Sequence, residues 1–452
     1  MKSAEPRQLA FAFADCPKGD KARAPRDESY GKRFLVHTAK GSGRMEPATC
    51  AAAEGRLMEA VASASNLAQA LLNVLRNKGA PGVDGRSVEQ VVDEAPALLP
   101  ELQKSLLQGT YRPGEIRRVW IPKPGGGERG LGIPNAVDRW VQQAVLQVLE
   151  PIFEPRFHRS SHGFRANRGA HTAIAEAKQY LGEGYRVVVD LDLSKFFDRV
   201  HHQRLLNRLG QQAGDERILD LGRRMLKAKV VMPDGTKVST EEGTPQGGPL
   251  SPLQSNIVLD EWDWELERRG LRFVRYADDC NIFVRSQRAG QRVMASTRRF
   301  LERRLRLQVN EAKSSVTQPG EVHFLGFRLG TDRGPNVEVL RSAKTKAKLT
   351  ARILELTPRS WGNSLRACME GLNEYSQGWI ANFRICTEAG AEEFRRYDAH
   401  VRRRLRAIVI CQKKRPRFLY RHFVRRGASP AQAAGVAYQD AEIPRLVIKE
   451  RS

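Results

Sequence analysis

The sequence predicts an α+β protein in which an antiparallel sheet that carries acidic residues lies between helical regions. Residues 187–193 form a continuous apolar run that ends in acidic residues, which is typical of a buried strand ending at a functional surface. Two short alternating stretches, 271–275 and 282–284, flank an Asp-Asp turn and predict a hairpin. After residue 330 the apolar residues recur at helical spacing, which predicts a helical C-terminal region.

The N-terminal region is predicted to become helical after a poorly ordered start. Residues 1–55 are rich in Lys, Arg, Pro, Ala and Gly without a sustained period, so we expect them to be mostly disordered, with some helix near their end. Beyond them, Leu67, Leu71 and Val74 fall on one helical face. This spacing predicts a helix with a buried side.

Three elements are predicted around the sheet. Residues 111–133 predict a hairpin with a glycine-rich tip, and residues 140–149 predict an amphipathic helix. A further helix is predicted at 253–266, directly after a loop rich in glycine and proline. Strands and helices therefore mix within one region of the chain.

The C-terminal region combines a helical core pattern with a dense positive charge. Leu349, Ile353 and Leu356 recur at i, i+4 and i+7, which first of all indicates core packing. Residues 395–426 hold 13 basic residues and one acidic residue. Such a density favours a polyanion lying against these helices over a merely solvated face.

Composition agrees with a nucleic-acid partner. The 452 residues leave room for two or three domains. Lysine and arginine total 76 against 51 acidic residues, which gives a net charge of +25. Nucleic acid is the simplest partner for this excess, and binding should weaken steeply with salt. Charge alone does not separate an enzyme from a passive RNA-binding protein.

Cysteine usage and hydropathy favour a cytoplasmic protein. The six cysteines are scattered without a Cys-x-x-Cys pair, so neither a disulfide framework nor a zinc site is predicted. The apolar stretch 9–14 is too short for a membrane span. We expect no membrane partner, and we expect Cys280 to pack beneath the acidic turn.

The acidic turn is the first candidate site. Residues 276–279 read Tyr-Ala-Asp-Asp, and two adjacent carboxylates repel each other unless a cation lies between them. Mg²⁺ suits such hard oxygen ligands, with Mn²⁺ as a substitute. By itself the pair is most often a solvated turn. Asp190 and Asp192 share one face of the preceding strand, however, and either could supply a third carboxylate. Three carboxylates from two strands suit two-metal phosphoryl transfer.

Two glycine-containing loops are candidates for ligand contact. The loop 243–252 combines glycines, which allow close backbone approach, with prolines, which restrict the turn. Lys123 and Arg129 bracket the glycines 125–127, and two cations on such a hairpin tip could close over a triphosphate. An ordinary solvated loop would show the same pattern.

Taken in order, these motifs resemble the reverse transcriptases encoded by bacterial group II introns. The resemblance covers roughly residues 57–406 and lacks the family's His/Asn endonuclease domain. The strings that carry it are NKGAPGVDG, IPKPGGGERGLGIP, LQVLEPIFEP, SSHGFRANRGAH, LDLSKFFDRVHH, GTPQGGPLSP, RYADD, LQVNEAKSSV and FLGF, with GWIANF and RRRLR near the C-terminus.

The resemblance implies a right-hand polymerase fold followed by an all-helical thumb and maturase domain. The implied parts are a basic extension at 1–55, an N-terminal helical region and fingers at 56–184, the palm at 185–330, the thumb and maturase domain at 331–426, and a tail at 427–452 that is a candidate remnant of a DNA-binding region.

The resemblance also implies roles for individual residues. Asp192 is preferred over Asp190 as the third catalytic aspartate because its spacing to Phe196-Phe197-Asp198 matches the family. The implied catalytic residues and metal ligands are Asp192, Asp278 and Asp279, with Leu193 as a further ligand. The implied dNTP contacts are Lys123, Arg129, Phe197, Gln246 and Lys313. The implied template, primer or RNA contacts are Arg117, Arg165, Gly247, Arg402, Arg403, Arg404 and Arg406.

The implied function is RNA-directed DNA polymerisation with maturase activity. In the family an aromatic at the position of Phe197 excludes ribonucleotides by clashing with a 2′-hydroxyl, whereas Phe196 is expected in the core. The implied partners are group II intron RNA, an RNA template with a DNA primer, dNTPs and target DNA. A stand-alone enzyme used in DNA repair or phage defence, or an RNA-binding splicing cofactor only, remain open alternatives. The sequence does not indicate an oligomeric state.

Overall fold

A computed structural model describes residues 30–41, 55–122, 126–330, 337–358, 364–387, 390–413, 415–425 and 427–438. The chain divides into two compact units, one ending at Pro319 and the other beginning at Gly320. The resemblance implied a palm that continues to residue 330, and this boundary stays a prediction. The strand that begins at Phe327 belongs to the second unit, where it pairs with a further strand.

Four helices open the part of the first unit that the structure describes. They are α1 (Tyr30–Gly41), α2 (Leu57–Ala62), α3 (Ala64–Asn77) and α4 (Val88–Leu107). Ser63 caps α3 by accepting a hydrogen bond from the Asn66 amide, and Ser87 begins α4 with a capping box. The predicted face of α3 is confirmed, since Leu67, Leu71 and Val74 are all buried.

Helix α1 lies where the sequence predicted a mostly disordered extension. Its Leu35 is fully buried, and a side chain at Gly31 would overlap the carbonyl of Val92 on α4. Residues 30–41 are therefore helical within this region, because one short apolar face packs there against α4. The rest of the expected extension, 1–29 and 42–54, lies outside the described residues.

A small mixed sheet follows, with strand order β2-β1-β4-β5. Its strands are β1 (Ile116–Pro122), β2 (Glu128–Ile133), β4 (Val230–Val231) and β5 (Lys237–Val238). Strands β1 and β2 form the predicted antiparallel hairpin. Helices α5 (Ala136–Phe153) and α6 (Ala170–Gly182) follow it. The predicted apolar face of α5 is confirmed, because Val141, Ala144 and Val148 are buried.

The central sheet is antiparallel, with strand order β6-β7-β3-β8. Its strands are β3 (Val187–Asp192), β6 (Arg272–Tyr276), β7 (Asp279–Val284) and β8 (Ser315–Thr317). Val189, Leu191 and Ile282 are fully buried in the core of this unit, which explains the apolar runs in their strands. Cys280 is buried beneath the acidic turn, as predicted.

The remaining elements of the first unit connect these strands. A 3₁₀ turn at Phe196–Arg199 leads to α7 (His202–Ala213) and α8 (Glu216–Leu226), the loop 243–252 leads to α9 (Ser251–Arg268), and α10 (Gln287–Phe300) continues into a π turn at Leu301–Leu305. Helix α9 begins with Ser251 and Pro252 in its first turn. Amides in the first turn have no partner within the helix, so the missing N–H of Pro252 costs no hydrogen bond.

The second unit contains one hairpin followed by helices. Its elements are β9 (Phe327–Gly330), β10 (Glu338–Arg341), α11 (Ala343–Leu356), α12 (Leu365–Phe383), α13 (Gly390–Lys413), α14 (Pro416–Arg425) and α15 (Pro430–Tyr438). Leu349, Ile353, Leu372 and Val401 belong to its core, as their helical spacing predicted. Among the described residues, no helix is long and apolar enough to cross a membrane.

Candidate polymerase active site

The acidic turn joins β6 to β7 in two residues. Tyr276 and Asp279 pair across the hairpin, so Ala277 and Asp278 form its tip. Ala277 has φ +58, a left-handed conformation that non-glycine residues seldom adopt. The loop before α6 packs so tightly on this turn that a Cβ at Gly163 would collide with the Ala277 amide nitrogen. The turn is therefore held from outside the hairpin.

Pairing of β3 with β7 brings the aspartates to one end of the central sheet. Asp192, the last residue of β3, lies directly opposite Asp279. Asp190 lies on the same face of β3, because side chains in a strand alternate. The alternation from the sequence therefore placed both residues correctly, and the spacing that singled out Asp192 agrees with its position next to the turn.

Electrostatics show that these carboxylates disfavour each other's charge. Burial raises the pKa of Asp278, and the charge on Asp192 raises it further. Burial raises the pKa of Asp279 well above its ordinary value, and Asp190 then contributes the largest repulsion. Lys313 opposes both effects from a position 3.6 Å from the Asp192 carboxylate.

The donor chemistry at this end of the sheet suits a divalent cation, because it consists of hard oxygens carrying excess negative charge. Across the part of the chain that the structure describes, however, no three His, Cys, Asp or Glu side chains converge as a metal site. The ammonium group of Lys313 offsets the negative charge of Asp192. The side chain of Leu193 is a buried hydrocarbon with no donor atom, so only its carbonyl oxygen could be a ligand.

A cavity of about 760 Å³ opens beside the turn. Its lining includes Asp278, Arg129, Phe197 and Gln246, four of the residues implied by the resemblance. Phe164, an exposed aromatic with φ +59 that the sequence did not single out, lines it as well. The cavity is large enough for a nucleotide and has both cationic and aromatic walls.

Main-chain hydrogen bonds join the loop 243–252 to Phe197 on one side and to strand β2 on the other. The Thr244 amide donates to the carbonyl of Phe197 at 2.7 Å, and the Gly132 amide donates to the carbonyl of Gln246 at 2.7 Å. Gly247 has φ +126, and a Cβ there would press on Gly132 and Leu131. The loop therefore needs its glycine for close packing against β2.

The two phenylalanines after β3 take different positions. Phe196 is buried in the core, as predicted, and its ring meets that of Phe197 edge-on at 5.2 Å. Phe197 is only partly buried and lines the cavity. Of the implied nucleotide contacts, Lys123 lies outside the described residues, and Lys313 is at Asp192.

Arg165, an implied contact to template, primer or RNA, is bonded within the protein. Its side chain is buried, its Nε donates to the Glu154 carboxylate at 2.9 Å, and its Nη1 donates to the carbonyls of His158 and Ser161 at 2.7 and 2.9 Å. These bonds hold the loop to Glu154, and contact of Arg165 with RNA stays a prediction.

The other residues that the resemblance implied as nucleic-acid contacts differ in their exposure to solvent. Arg402, Arg403 and Arg406 are exposed on α13, although Arg402 also pairs with Asp398. Arg404 is partly buried and donates to the carbonyl and hydroxyl of Thr357, so part of its hydrogen-bonding capacity is used within the protein. In the first unit Arg117 is half-buried in β1, and Gly247 lines the cavity.

Sequence reasoning also missed the side chain that binds the turn from within. Arg275 is fully buried and forms an ion pair with Asp263 at 2.6 Å, where neither side chain is exposed. Its position at the end of an alternating strand gave no sign of burial. The partner, Asp263, lies upstream on the preceding helix, and only the tertiary structure reveals that the two residues pair.

The fold and site define a template-directed nucleotidyl transferase, and comparison with known proteins specifies the class. The reverse transcriptase (RNA-dependent DNA polymerase) family matches residues 121–329. The maturase-specific domain of group II introns matches residues 346–427. The enzyme is thus an RNA-directed DNA polymerase joined to a maturase domain, as the sequence predicted.

Two similar proteins support the assignment of this chain to a family. Protein YkfC of Escherichia coli (strain K12) is 35% identical over 315 residues, covering 61% of this chain and 82% of that protein. The group II intron-encoded protein LtrA of Lactococcus lactis subsp. cremoris is 29% identical over 357 residues, covering 63% of this chain and 58% of LtrA. The chain belongs to the group II intron family of reverse transcriptases and maturases.

Solved structures show a weaker likeness. A partial Cas6-RT-Cas1–Cas2 complex aligns with a TM-score of 0.35 at 24% identity, covering 54% of this chain and 42% of that chain.

Proposed function

We propose that this chain extends a DNA primer on an RNA template, using divalent cations held by Asp192, Asp278 and Asp279. The observation that carries the proposal is the register of the central sheet. It sets Asp192 opposite Asp279 and next to the turn, whose Asp278 lines the 760 Å³ cavity. A cation there would relieve the repulsion that raises the pKa values of Asp278 and Asp279.

Mg²⁺ is the proposed ion, with Mn²⁺ as a substitute; when bound, it would activate the primer 3′-hydroxyl and neutralise charge on the triphosphate. The protein contributes the arrangement around it. Arg129 supplies positive charge on the cavity wall, and Lys123 is proposed to act with it from the hairpin tip. Phe197 restricts the sugar, and Gln246 lies along the base pair being formed.

For the second unit we propose binding to group II intron RNA. Arg402, Arg403 and Arg406 present guanidinium groups on one helix, and such groups contact phosphates without reading sequence. LtrA carries the description of a group II intron-encoded protein, which supports this choice of RNA. Target DNA is proposed as a further partner and the cytoplasm as the location, because template, primer and intron RNA would all be found there.

The deciding experiment replaces the two turn carboxylates by amides of the same shape. Asp278→Asn with Asp279→Asn should abolish cDNA synthesis on a primed RNA while leaving RNA affinity unchanged, because the amides cannot neutralise a cation. Asp220→Asn, on the exposed face of α8, is the matched control and should keep full activity. Full primer extension by the double variant would remove the assignment. Wild-type protein that binds RNA but extends no primer would leave a splicing cofactor instead.

A further inference from the structure

Arg275 places a charged group in the interior directly beneath the catalytic turn. Its Nε and Nη2 donate to the two carboxylate oxygens of Asp263 at 2.7 and 2.6 Å. Its Nη1 donates to the side chain of Asn256 at 3.1 Å and to the carbonyl of Ala277 at 2.9 Å. Nη2 also donates to the hydroxyl of Ser161 at 2.7 Å. One guanidinium therefore contacts α9, the turn and the loop before α6.

The main chain of Arg275 joins the same loop. Its amide donates to the carbonyl of Ser160, and its carbonyl accepts from the amide of His162, both at 2.9 Å. Asn256, already bound to the guanidinium, donates to the carbonyl of Gly163 at 2.9 Å. We call residues 158–165 the brace loop. Arg275 of strand β6 is thus joined to the brace loop by hydrogen bonds of both its side chain and its main chain.

The brace loop is fixed on its far side as well. Glu176 of α6 accepts from the hydroxyl of Ser160 at 2.5 Å and lies 2.7 Å from His162 Nε2. Arg165 closes the other end on Glu154. Because the loop is held from both sides, it is a rigid support, and the bond from Arg275 to Ala277 transmits that rigidity to the turn.

We propose that Arg275 is a positioning residue of the polymerase site, which holds the Ala277 carbonyl so that Asp278 and Asp279 keep their orientation toward the cavity. The inference rests on the proposed function. Stability alone does not account for the arrangement, because a buried ion pair is generally no more stabilising than apolar residues of similar size. An apolar pair, however, could not bind the left-handed Ala277 or Ser161.

The test replaces the ion pair without leaving a buried charge. Arg275→Met with Asp263→Leu should fold, with a lower Tm because the Ala277 carbonyl, Asn256 and Ser161 lose a donor. Its kcat for single-nucleotide extension should fall about 100-fold, as expected for a displacement of about 1 Å at reacting groups. KM for the dNTP should stay within about threefold of wild type, because the cavity walls are untouched. A folded double variant with full kcat would overturn the proposal.

A second variant covers the case in which the pair replacement does not fold. Ser161→Ala removes one bond between the brace loop and the guanidinium and keeps the ion pair. It should lower kcat about 10-fold, and an unchanged kcat in this variant would also overturn the proposal.

Arg217→Met serves as the destabilising control, since Arg217 joins α2 to α8 through Glu59 and Asp215 and bonds to neither loop nor turn. Its Tm should fall while kcat holds, whereas an equal fall in kcat would show that lost stability explains the Arg275 effect. A wild-type protein without extension would refute the proposed function. An active wild type with an unaffected Arg275→Met, Asp263→Leu variant would refute this inference alone.

Discussion

Replacing Gly163 by alanine introduces a methyl group where the brace loop touches the catalytic turn. Real Cβ atoms essentially never come closer than 3.0 Å to another heavy atom. The new Cβ would be more than half an ångström closer than this to the Ala277 nitrogen. It would also lie 3.0 Å from the Tyr276 carbonyl carbon and 3.2 Å from the Ala277 Cα. All three neighbours are main-chain atoms, so no side-chain rotation relieves the overlap.

The size of the effect follows from the distance that the turn must move. Ordinary van der Waals separation begins at 3.4 Å, so the turn must retreat from Gly163 by about 1 Å. Because Arg275 and Asn256 hold the brace loop, most of this shift falls on the turn. A displacement of this size at reacting groups lowers the rate about 100-fold, or about 2.7 kcal/mol in activation free energy.

The assay is single-nucleotide extension of a DNA primer on an RNA template under saturating dNTP, with RNA affinity measured in parallel. Gly163→Ala should lose kcat and keep RNA affinity. Gly182→Ala, at the end of α6 with no atom near the added Cβ, should behave as wild type. If Gly163→Ala extends the primer at the wild-type rate, the turn does not need the position that the structure gives it.

Three further outcomes are expected. Phe197→Ala should raise ribonucleotide incorporation relative to deoxynucleotide about 10- to 100-fold in competition assays, and unchanged discrimination would remove Phe197 from sugar selection. Arg403→Gln with Arg406→Gln should lower the slope of log affinity for RNA against log salt by about 1.5, whereas Arg404→Gln should mainly lower Tm, because Arg404 bonds to Thr357. Burial raises the pKa of Asp260 from 3.8 to about 6. The folded state therefore binds this proton more tightly than the unfolded chain does, which stabilises the fold below about pH 4. This stabilisation is lost as the pH rises through about 6. Asp260→Asn should therefore stabilise the protein by up to about 3 kcal/mol at pH 7.5 and have no effect at pH 4 in denaturant titrations; equal effects at both pH values would contradict the raised pKa.

The elements around the site could be predicted because their sequence patterns are local. The apolar run that ends at Asp192 and the alternation on either side of the turn determine which faces are buried, and the structure has both strands there. The position of helix α1 could not be predicted because its apolar face is only a few residues long and packs against α4. A short pattern of this kind does not stand out in a basic, proline-containing stretch.

The roles of buried arginines could not be predicted from the sequence. Arg165 and Arg275 have the same residue type as the exposed Arg403, and their partners, Glu154 and Asp263, lie 11 and 12 residues away. Whether an arginine faces RNA or a carboxylate depends on tertiary contacts that close these distances. For the same reason the motif match gave no sign of the bonds between Arg165 and Glu154.

The bonds that join β2 to the loop 243–252 involve main-chain atoms only. The Gly132 amide and the Gln246 carbonyl remain whatever side chain occupies position 246, and the same holds for Thr244 and Phe197. Substitution of Gln246 would therefore leave the hairpin β1–β2 joined through this loop to Phe197. Under the proposed roles, variants at this position would alter base preference while the spacing between the proposed triphosphate and sugar contacts stays constant.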